Sequence, residues 1–343
     1  MNYRELGTTG LTVSEIGFGA WGIGGTSNGA IAYGPTDDEE SKAALSLAFE
    51  SGVTFYDTAD LYGYGHSERL LGGVFRKRRG QVVIASKVGF LRASGEQDFS
   101  PQHIRRSVES SLRRLETDYL DVYQLHDPPI DRLGHDERIV NTMEELKAEG
   151  KIRVVGISVR SPDDGVVAVR RWRFECLQVN FNMVDQRVVA NGFLDLCQAE
   201  GVGVVCRTPL CLGFLTGKYA AGTVFGAQDY RRAWPAEQIA VWASAYRSFA
   251  PVLHAPGQTP AQVALRFCLS YPAVSTAIPG MLTAAEVEEN VAASRFGPLP
   301  AAERLAIERV ARETPFFIGA RRPKPHSLHG PFVEDGVRAQ GAQ

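Results

Sequence analysis

Residues 53–57, Val-Thr-Phe-Tyr-Asp, form an apolar run that ends in an acid, and a glycine-containing loop with Tyr62 leads from it to a helix-like segment at His66. This unit of apolar run, polar loop and segment of helical period recurs along the chain. The candidate strands are residues 15–18, 53–57, 82–86, 120–124, 154–157, 176–179, 202–206 and 274–278. Runs that are apolar throughout and rich in Val and Ile are typical of parallel strands buried on both faces. The alternation predicts a TIM-type barrel or a large doubly wound sheet.

Signals at the ends of these elements agree with the alternation. Thr36 with Glu39 has the spacing of a capping box at a helix start. Residues 3–6 and 11–14 flank a Gly-Thr-Thr-Gly turn and predict a small β-hairpin that closes the floor of a barrel. Residues 213–238 are a long glycine-containing segment, and loops of this length are usually functional.

Composition and charge bound the class of protein. With 343 residues, 44% of them hydrophobic and 22% charged, the chain can bury a large core, and α/β barrels reach this length as one domain. A net charge of −2 gives no reason to expect a nucleic-acid or membrane-surface partner. No apolar stretch approaches the roughly 18 residues of a membrane span, and none follows the N-terminus as in a signal peptide. We expect residues 1–320 to form a single barrel domain and residues 321–343 to be an extended, partly disordered tail.

The cysteines and histidines argue against a metal or disulfide framework. The five cysteines show no disulfide or metal spacing, and the seven histidines show no H-E-x-x-H pattern. We therefore expect no metal, mostly buried reduced thiols, and a cytoplasmic protein.

Gly17-Phe-Gly19-Ala-Trp-Gly22 matches the G-x-G-x-x-G pattern of dinucleotide-binding loops. In a Rossmann fold those glycines open a helix whose N-terminus meets the pyrophosphate. Here the chain continues through further Gly, Ser and Asn residues, which cannot be that helix. We interpret the segment instead as a loop that lines the mouth of a cavity.

Four ionisable side chains stand at or just past the ends of predicted strands: Asp57, Tyr62, Lys87 and His126. Singly, each has an ordinary interpretation, such as a helix cap, a surface lysine or a core histidine. Together they indicate an active site, because a barrel builds its site from the carboxyl ends of its strands. A Tyr that protonates a carbonyl needs a pKa below its usual value of about 10. A neighbouring ammonium would lower the pKa of Tyr62, and a carboxylate would hold that ammonium in place.

At these residues the chain resembles the aldo-keto reductase superfamily, over approximately residues 3–300. The matching stretches are residues 6–19, Asp57-Thr-Ala-Asp-Leu-Tyr62-Gly, Ser86-Lys87-Val, Asp121-Val-Tyr-Gln-Leu-His126, Gly156-Ile-Ser158, residues 209–219 and residues 278–290. The resemblance implies a (β/α)8 TIM barrel with an N-terminal β-hairpin and long loops at its C-terminal face. Residues 99–101 and 126–128 are most similar to the bacterial sugar-dehydrogenase and L-galactose-dehydrogenase-like branches.

The resemblance also implies hydride transfer between a nicotinamide cofactor and a sugar or a small aldehyde or alcohol. Tyr62 would be the general acid or base, Lys87 would lower its pKa, Asp57 would hold Lys87, and His126 would orient the carbonyl oxygen. The substrate would contact Trp21, Tyr62 and His126. The cofactor, NAD or NADP, would contact Gly19, Ala20, Trp21, Ser158, Gln178, Arg207, Pro209, Leu210, Gly213, Lys218, Gly280, Met281, Leu282, Glu286, Glu289 and Asn290.

Two positions near the nicotinamide depart from the family pattern. Val159 follows Ser158 where relatives commonly have Asn, so one hydrogen bond to the carboxamide is in question. Arg207 occupies the place where many relatives stack a Tyr on the nicotinamide. A planar guanidinium can also stack, or it can contact the substrate or the pyrophosphate.

The third departure concerns the choice of cofactor. Residues 279–290 lack the Lys or Arg that relatives place against the 2′-phosphate of NADP, and Glu286 stands there instead. Glu286 would accept the 2′-hydroxyl of NAD, or would only complete a capping box with the backbone N–H of Thr283. Because a 2′-phosphate normally needs cationic donors, NAD is favoured over NADP, unless an arginine such as those at 321–322 supplies the charge.

Two other functions fit the same sequence. One is an NAD-assisted isomerase or epimerase, in which the hydride returns to the substrate. The other is a non-catalytic cofactor-sensing subunit, as barrels of this family form in channel assemblies. The complete tetrad favours an enzyme, since sensing alone does not require Tyr62.

Overall fold

The strands and helices of the protein follow the apolar runs and helical periods of its sequence. The computed structural model describes residues 1–172 and 174–318. Its strands are β1 (Tyr3–Glu5), β2 (Thr12–Ser14), β3 (Phe18–Gly19), β4 (Phe55–Asp57), β5 (Val83–Val88), β6 (Leu120–His126), β7 (Ile152–Ser158), β8 (Cys176–Asn180), β9 (Gly203–Arg207) and β10 (Val274–Ile278). Its helices are α1 (Asp38–Glu50), α2 (His66–Phe75), α3 (Pro101–Leu115), α4 (Ile130–His135), α5 (Arg138–Ala148), α6 (Pro162–Trp172), α7 (Arg187–Ala190), α8 (Phe193–Glu200), α9 (Ala236–Phe249), α10 (Pro260–Leu269), α11 (Ala284–Ala292) and α12 (Ala301–Glu313).

Strands β3 to β10 form one eight-stranded parallel sheet in chain order. Parallel bridges from Ile16 to Ala277 and from Gly19 to Gly280 join its two edges. A Cβ at Gly19 would lie 2.8 Å from the Ile278 carbonyl oxygen, so this close approach requires glycine. The sheet is therefore a closed barrel, which confirms the predicted TIM barrel and excludes a doubly wound sheet, whose edges stay open.

The β1–β2 hairpin closes one end of the barrel, as predicted. The two strands pair antiparallel, and Leu6, Leu11 and Val13 in and beside them belong to one buried apolar cluster. The barrel residues of this cluster are Phe55, Val83, Ala85, Val122, Val154, Cys176, Val205 and Ile278. Because this apolar plug fills the floor, the opposite end, where the strands finish, is the end that can hold a polar site.

The strand bounds differ from the predicted ones in ways that matter for the site. The first barrel strand was predicted at residues 15–18 but lies at β3, with Ile16 in an isolated bridge. β5 continues to Val88 and β6 to His126. Lys87 and His126 therefore lie within paired strands, which fix their backbones more firmly than loops would.

The predicted capping box of Thr36 with Glu39 is wrong by one residue. The side chain of Asp37 accepts a hydrogen bond from the Glu40 backbone N–H at 2.8 Å and so caps α1. Asp ranks above Thr as an N-cap because its carboxylate also interacts favourably with the positive end of the helix dipole.

Several other predictions concern the chain as a whole. The predicted tail, residues 321–343, lies outside the described residues. Within the described part, no helix is long and apolar enough to cross a membrane, and no group of three His, Cys, Asp or Glu residues is placed to hold a metal. The five cysteines are free and buried, as predicted.

Candidate functional site

The four ionisable side chains predicted from the sequence come together where the strands end. Lys87 Nζ donates hydrogen bonds to Asp57 Oδ2 at 2.6 Å, to the Thr58 carbonyl at 2.8 Å and to Tyr62 Oη at 3.1 Å. The ring centroids of Tyr62 and His126 are 6.0 Å apart. Each of the four side chains belongs to a residue that is at most 3% exposed. Burial and the shared ammonium make this a fixed, water-poor arrangement.

The parallel register of the barrel explains this convergence. Asp57 ends β4, His126 ends β6 and Ser158 ends β7. Across neighbouring strands, His126 pairs with Ser158, and Ser158 pairs with Gln178 on β8. His126, Ser158 and Gln178, which lie on three successive strands, are therefore at one level of the barrel.

The electrostatics of the tetrad differ from the sequence prediction. Burial and the Asp57 carboxylate raise the pKa of Tyr62 well above its ordinary value. Burial also lowers the pKa of Lys87, and Asp57 opposes that shift. The predicted lowering of the Tyr62 pKa is wrong for this arrangement, because burial and the Asp57 carboxylate outweigh the Arg207 guanidinium, which lowers this pKa. Tyr62 is therefore held as the phenol, which is the proton-donating form.

A pocket opens beside Asp57 and Tyr62. It is lined by these residues of the predicted cofactor set: Gly19, Trp21, Gln178, Arg207, Pro209, Leu210, Gly213, Lys218, Gly280, Leu282, Glu286, Glu289 and Asn290. The remaining predicted contacts, Ala20, Ser158 and Met281, are fully buried and do not line the pocket. The structure thus brings most of the predicted cofactor residues to the wall of one pocket that begins at the tetrad.

Arg207 is held in the pocket wall by a buried network. Its Nη1 lies 3.0 Å from Asp127 Oδ1 and 2.7 Å from Ser158 Oγ, and its Nε donates to Asn180 Oδ1 at 2.9 Å. Its Nη2 donates to the Val159 carbonyl at 3.0 Å. Arg207 is only 5% exposed, so this network fixes a buried guanidinium rather than a surface one.

The same network occupies the predicted carboxamide ligands. Ser158 Oγ donates to Asp127, so its single hydroxyl hydrogen is already used. Burial raises the pKa of Asp127, but the neighbouring Arg207 guanidinium outweighs this and holds it below its ordinary value. Gln178 Nε2 donates to Asp57 Oδ1 at 2.7 Å, which ties this amide to the tetrad. A carboxamide would therefore meet Ser158 as an acceptor, and Gln178 as an amide that has already given one of its two N–H hydrogens to Asp57.

At the far end of the pocket, a cation faces two acids. Lys218 Nζ is 3.8 Å from Glu286 Oε1 and 3.9 Å from Glu289 Oε2. Glu286 Oε2 accepts from the Leu282 backbone N–H at 2.8 Å. The alternative in which Glu286 bonds the Thr283 N–H is therefore wrong by one residue, although Thr283 does cap α11.

The comparison with known proteins identifies this arrangement. The model of the aldo/keto reductase family matches residues 15–312, which is most of the chain. The chain belongs to the aldo-keto reductase family. An L-galactose dehydrogenase from Arabidopsis thaliana is 32% identical, over 84% of this chain and 87% of that protein. An NADH-specific methylglyoxal reductase from Escherichia coli is 30% identical, over 85% of this chain and 93% of that protein.

Solved structures agree with the family assignment. An aldo-keto reductase from Bacillus halodurans, in its holo form, superposes with a TM-score of 0.74 at 30% identity, covering 90% of this chain and 96% of that one. Aldo-keto reductases are oxidoreductases that act on small-molecule carbonyls with NADH or NADPH. This chain is therefore an NAD(P)-dependent enzyme of that family.

Arg231 is a pocket residue of this aldo-keto reductase that the sequence did not single out. Its guanidinium lies over the rings of Tyr33, Tyr219 and Phe225 at 4.6, 4.9 and 4.3 Å, and pairs with Asp229 at 2.7 Å. These contacts fasten the long loop after β9 to the loop after β3. The loop was predicted to be functional, and the acid two residues before the arginine was the one local signal that could have found it.

The Asp60 carboxyl group, in the same loop as Tyr62, makes the stability of the protein depend on pH. Burial and the nearby Glu68 raise the pKa of Asp60 from 3.8 to about 7, while Ser107 Oγ donates to its Oδ2 at 2.8 Å. Between these two pH values the folded protein keeps a proton that the unfolded chain has lost, so stability falls as the pH rises. We expect Asp60→Asn to be more stable than the wild type above pH 7, by about 1 kcal/mol or more, and nearly equal below pH 4.

Urea unfolding at pH 4, 6 and 8 measures this difference. Asp118→Asn, which removes an exposed acid, is the matched control and should show no such trend. The measured quantity is the free energy of unfolding of Asp60→Asn minus that of the wild type. If this difference became smaller from pH 4 to pH 8, Asp60 would not be protonated in the folded protein.

Proposed function

We propose that this reductase transfers a hydride between a nicotinamide cofactor, NAD in preference to NADP, and the carbonyl or alcohol group of a sugar or small aldehyde. Tyr62 moves the proton in this proposal. The observation that supports it most directly is the contact of Tyr62 Oη with Lys87 Nζ at 3.1 Å, beside Asp57 and at the wall of the pocket. The likeness to an L-galactose dehydrogenase supports a sugar as the substrate.

The residues of the pocket fit a dinucleotide. Lys218 and Arg231 are cations that suit phosphates, and the side chains of Gln178 and Asn290 supply amides for the two bases. The bound nicotinamide would supply or accept the hydride. Gly19 and the residues around it would form the wall against which it lies, in agreement with the interpretation of that segment as a cavity-mouth loop.

The chain's own groups account for the proton. In reduction, Tyr62 Oη would give its proton to the carbonyl oxygen as the hydride reaches the carbonyl carbon, and the phenolate would then be balanced by Lys87. In oxidation, Tyr62 would have to act as the phenolate to take the proton of the alcohol, and its raised pKa makes that form the scarcer one. Asp57 would keep Lys87 charged and in place, and His126 would orient the oxygen from the other side. Water would be excluded by burial of all four groups.

Nicotinamide absorbance, followed with a panel of aldoses, aldehydes and alcohols, tests this function. Net oxidation or reduction of the cofactor supports it. Product without a net change in absorbance would indicate an isomerase or epimerase, and cofactor binding without any product would indicate a sensing subunit.

The preference for NAD is a separate prediction. A 2′-phosphate brought to the far end of the pocket would approach Glu286 and Glu289, and Lys218 is already close to both. We expect kcat/KM to be higher with NAD(H) than with NADP(H). Glu286→Gln should lower the ratio of the two kcat/KM values, because it removes one charge that repels the 2′-phosphate.

Steady-state kinetics with both cofactors measures this preference. Glu288→Gln, which removes an exposed acid two residues further along α11, should leave the ratio unchanged. A tenfold preference of the wild type for NADP(H), equivalent to roughly 1.4 kcal/mol, would show that a cation elsewhere binds the phosphate.

A further inference from the structure

A cationic cleft lies on the outside of the barrel, between α2 and α3. It is lined by Arg69, Ser110, Arg113, Arg114 and Glu116, none of which lines the pocket beside Tyr62. Three guanidinium groups thus share one cleft with a single carboxylate. That carboxylate, Glu116, also pairs with Arg76 at 3.1 Å. The lining of the cleft therefore has more positive than negative side chains, in a protein whose net charge is −2.

Two of these arginines have no acidic partner in the described part of the chain. Arg69 and Arg113 are exposed, and no Asp or Glu there lies within 4 Å of either guanidinium. Arg113 Nη2 donates to Ser110 Oγ at 2.9 Å, and both residues line the cleft. Most of their donors therefore have no protein acceptor and are open to a ligand.

The third arginine is fixed in place. Arg114 Nε donates to Glu68 Oε2 at 2.6 Å, and Glu68 is fully buried. Arg114 Nη2 donates to Ser111 Oγ at 3.2 Å. A Cβ at Gly65 would lie 2.5 Å from Arg114 Cδ, so the arginine side chain lies directly against this glycine at the start of α2. A group already held in position loses little conformational entropy when it binds a ligand.

We propose that this cleft binds a small phosphate-type oxyanion, either inorganic phosphate or the phosphate of a small ester. Arg69 and Arg113 would hold the oxyanion from two sides, with Arg114 beside it. Guanidinium groups match the spacing of phosphate oxygens and form charge-assisted hydrogen bonds that are stronger than neutral ones. The site is separate from the nicotinamide pocket and does not depend on the proposed function.

Calorimetric titration of the full chain with inorganic phosphate and with glycerol 3-phosphate tests the site, in NaCl of matched ionic strength to remove simple screening. We expect saturable binding by the wild type and at least about tenfold weaker binding by Arg69→Ala/Arg113→Ala. Tighter binding of glycerol 3-phosphate would identify an ester as the ligand, and equal or tighter binding of inorganic phosphate would identify the free ion.

Two controls separate this cleft from other cations. Arg138→Ala removes an exposed arginine elsewhere, and Lys218→Ala removes the lysine of the nicotinamide pocket, so neither should change the affinity. Unfolding midpoints without phosphate check that the double variant is folded, and its turnover should equal that of the wild type. No saturable binding by the wild type, unchanged affinity in the folded double variant, or loss of binding in Lys218→Ala would each overturn the proposal.

Discussion

Tyr62→Phe is expected to lower kcat by at least about 100-fold while the Kd of the cofactor stays near its wild-type value. The substitution removes only the Oη atom, which lies 3.1 Å from Lys87 Nζ and supplies the proton in the proposed reaction. The ring, which is 3% exposed, stays in the pocket wall, so the shape of the cofactor site is kept. Single-turnover kinetics and a fluorescence titration with cofactor separate the two effects.

Tyr64→Phe is the matched control for this experiment. Tyr64 is in the same loop, and its Oη accepts a hydrogen bond from the Ala93 backbone N–H at 3.3 Å, outside the tetrad. Its loss should change kcat by no more than a few-fold. Turnover of Tyr62→Phe close to that of Tyr64→Phe would remove Tyr62 from the mechanism.

Asp127→Ala is expected to destabilise the protein by about 3–5 kcal/mol. Asp127 and Arg207 are 3% and 5% exposed and are joined at 3.0 Å, so removal of the carboxylate leaves a buried guanidinium without its counter-charge. The second variant, Asp127→Ala/Arg207→Met, removes both charges and should recover part of the loss. Urea unfolding at one pH measures the free energy of unfolding for each.

Asp136→Ala provides the comparison for that result. Asp136 also pairs with an arginine, Arg138, at 2.8 Å, but this pair is at the surface, where solvent screens it. Its loss should lower the free energy of unfolding far less than the loss of Asp127 does. If Asp127→Ala cost no more than Asp136→Ala, the Asp127–Arg207 pair would have no special role in fixing the pocket wall.

The barrel and the tetrad could be predicted because both follow from local patterns. Each strand is marked by its own apolar run, and parallel strands of a closed barrel must end at the same face. Asp57, Lys87 and His126 each lie at or near the end of such a run. Once the sheet is known to be a closed parallel barrel, it follows that these three side chains lie close together, and no measured distance is needed.

Side-chain pairing across the barrel could not be predicted in this way. Arg207 and Asp127 are 80 residues apart, and nothing in the sequence near either one names its partner. The resemblance suggested that Arg207 stacks on the nicotinamide, and the structure places it in an ion pair with Asp127. Stacking of Arg207 on the nicotinamide stays a prediction, but the positive charge of its guanidinium is already compensated by Asp127.

The sequence by itself determined the order and approximate positions of the strands, that they are parallel, and which four groups meet at their ends. Only the tertiary structure decided the pKa of Tyr62, because desolvation depends on how completely the neighbours cover it. The same holds for the two acids that face Lys218 and for the aromatic rings around Arg231. These features depend on distances between loops of different strands, and such distances are set by packing, which no local pattern of residues records.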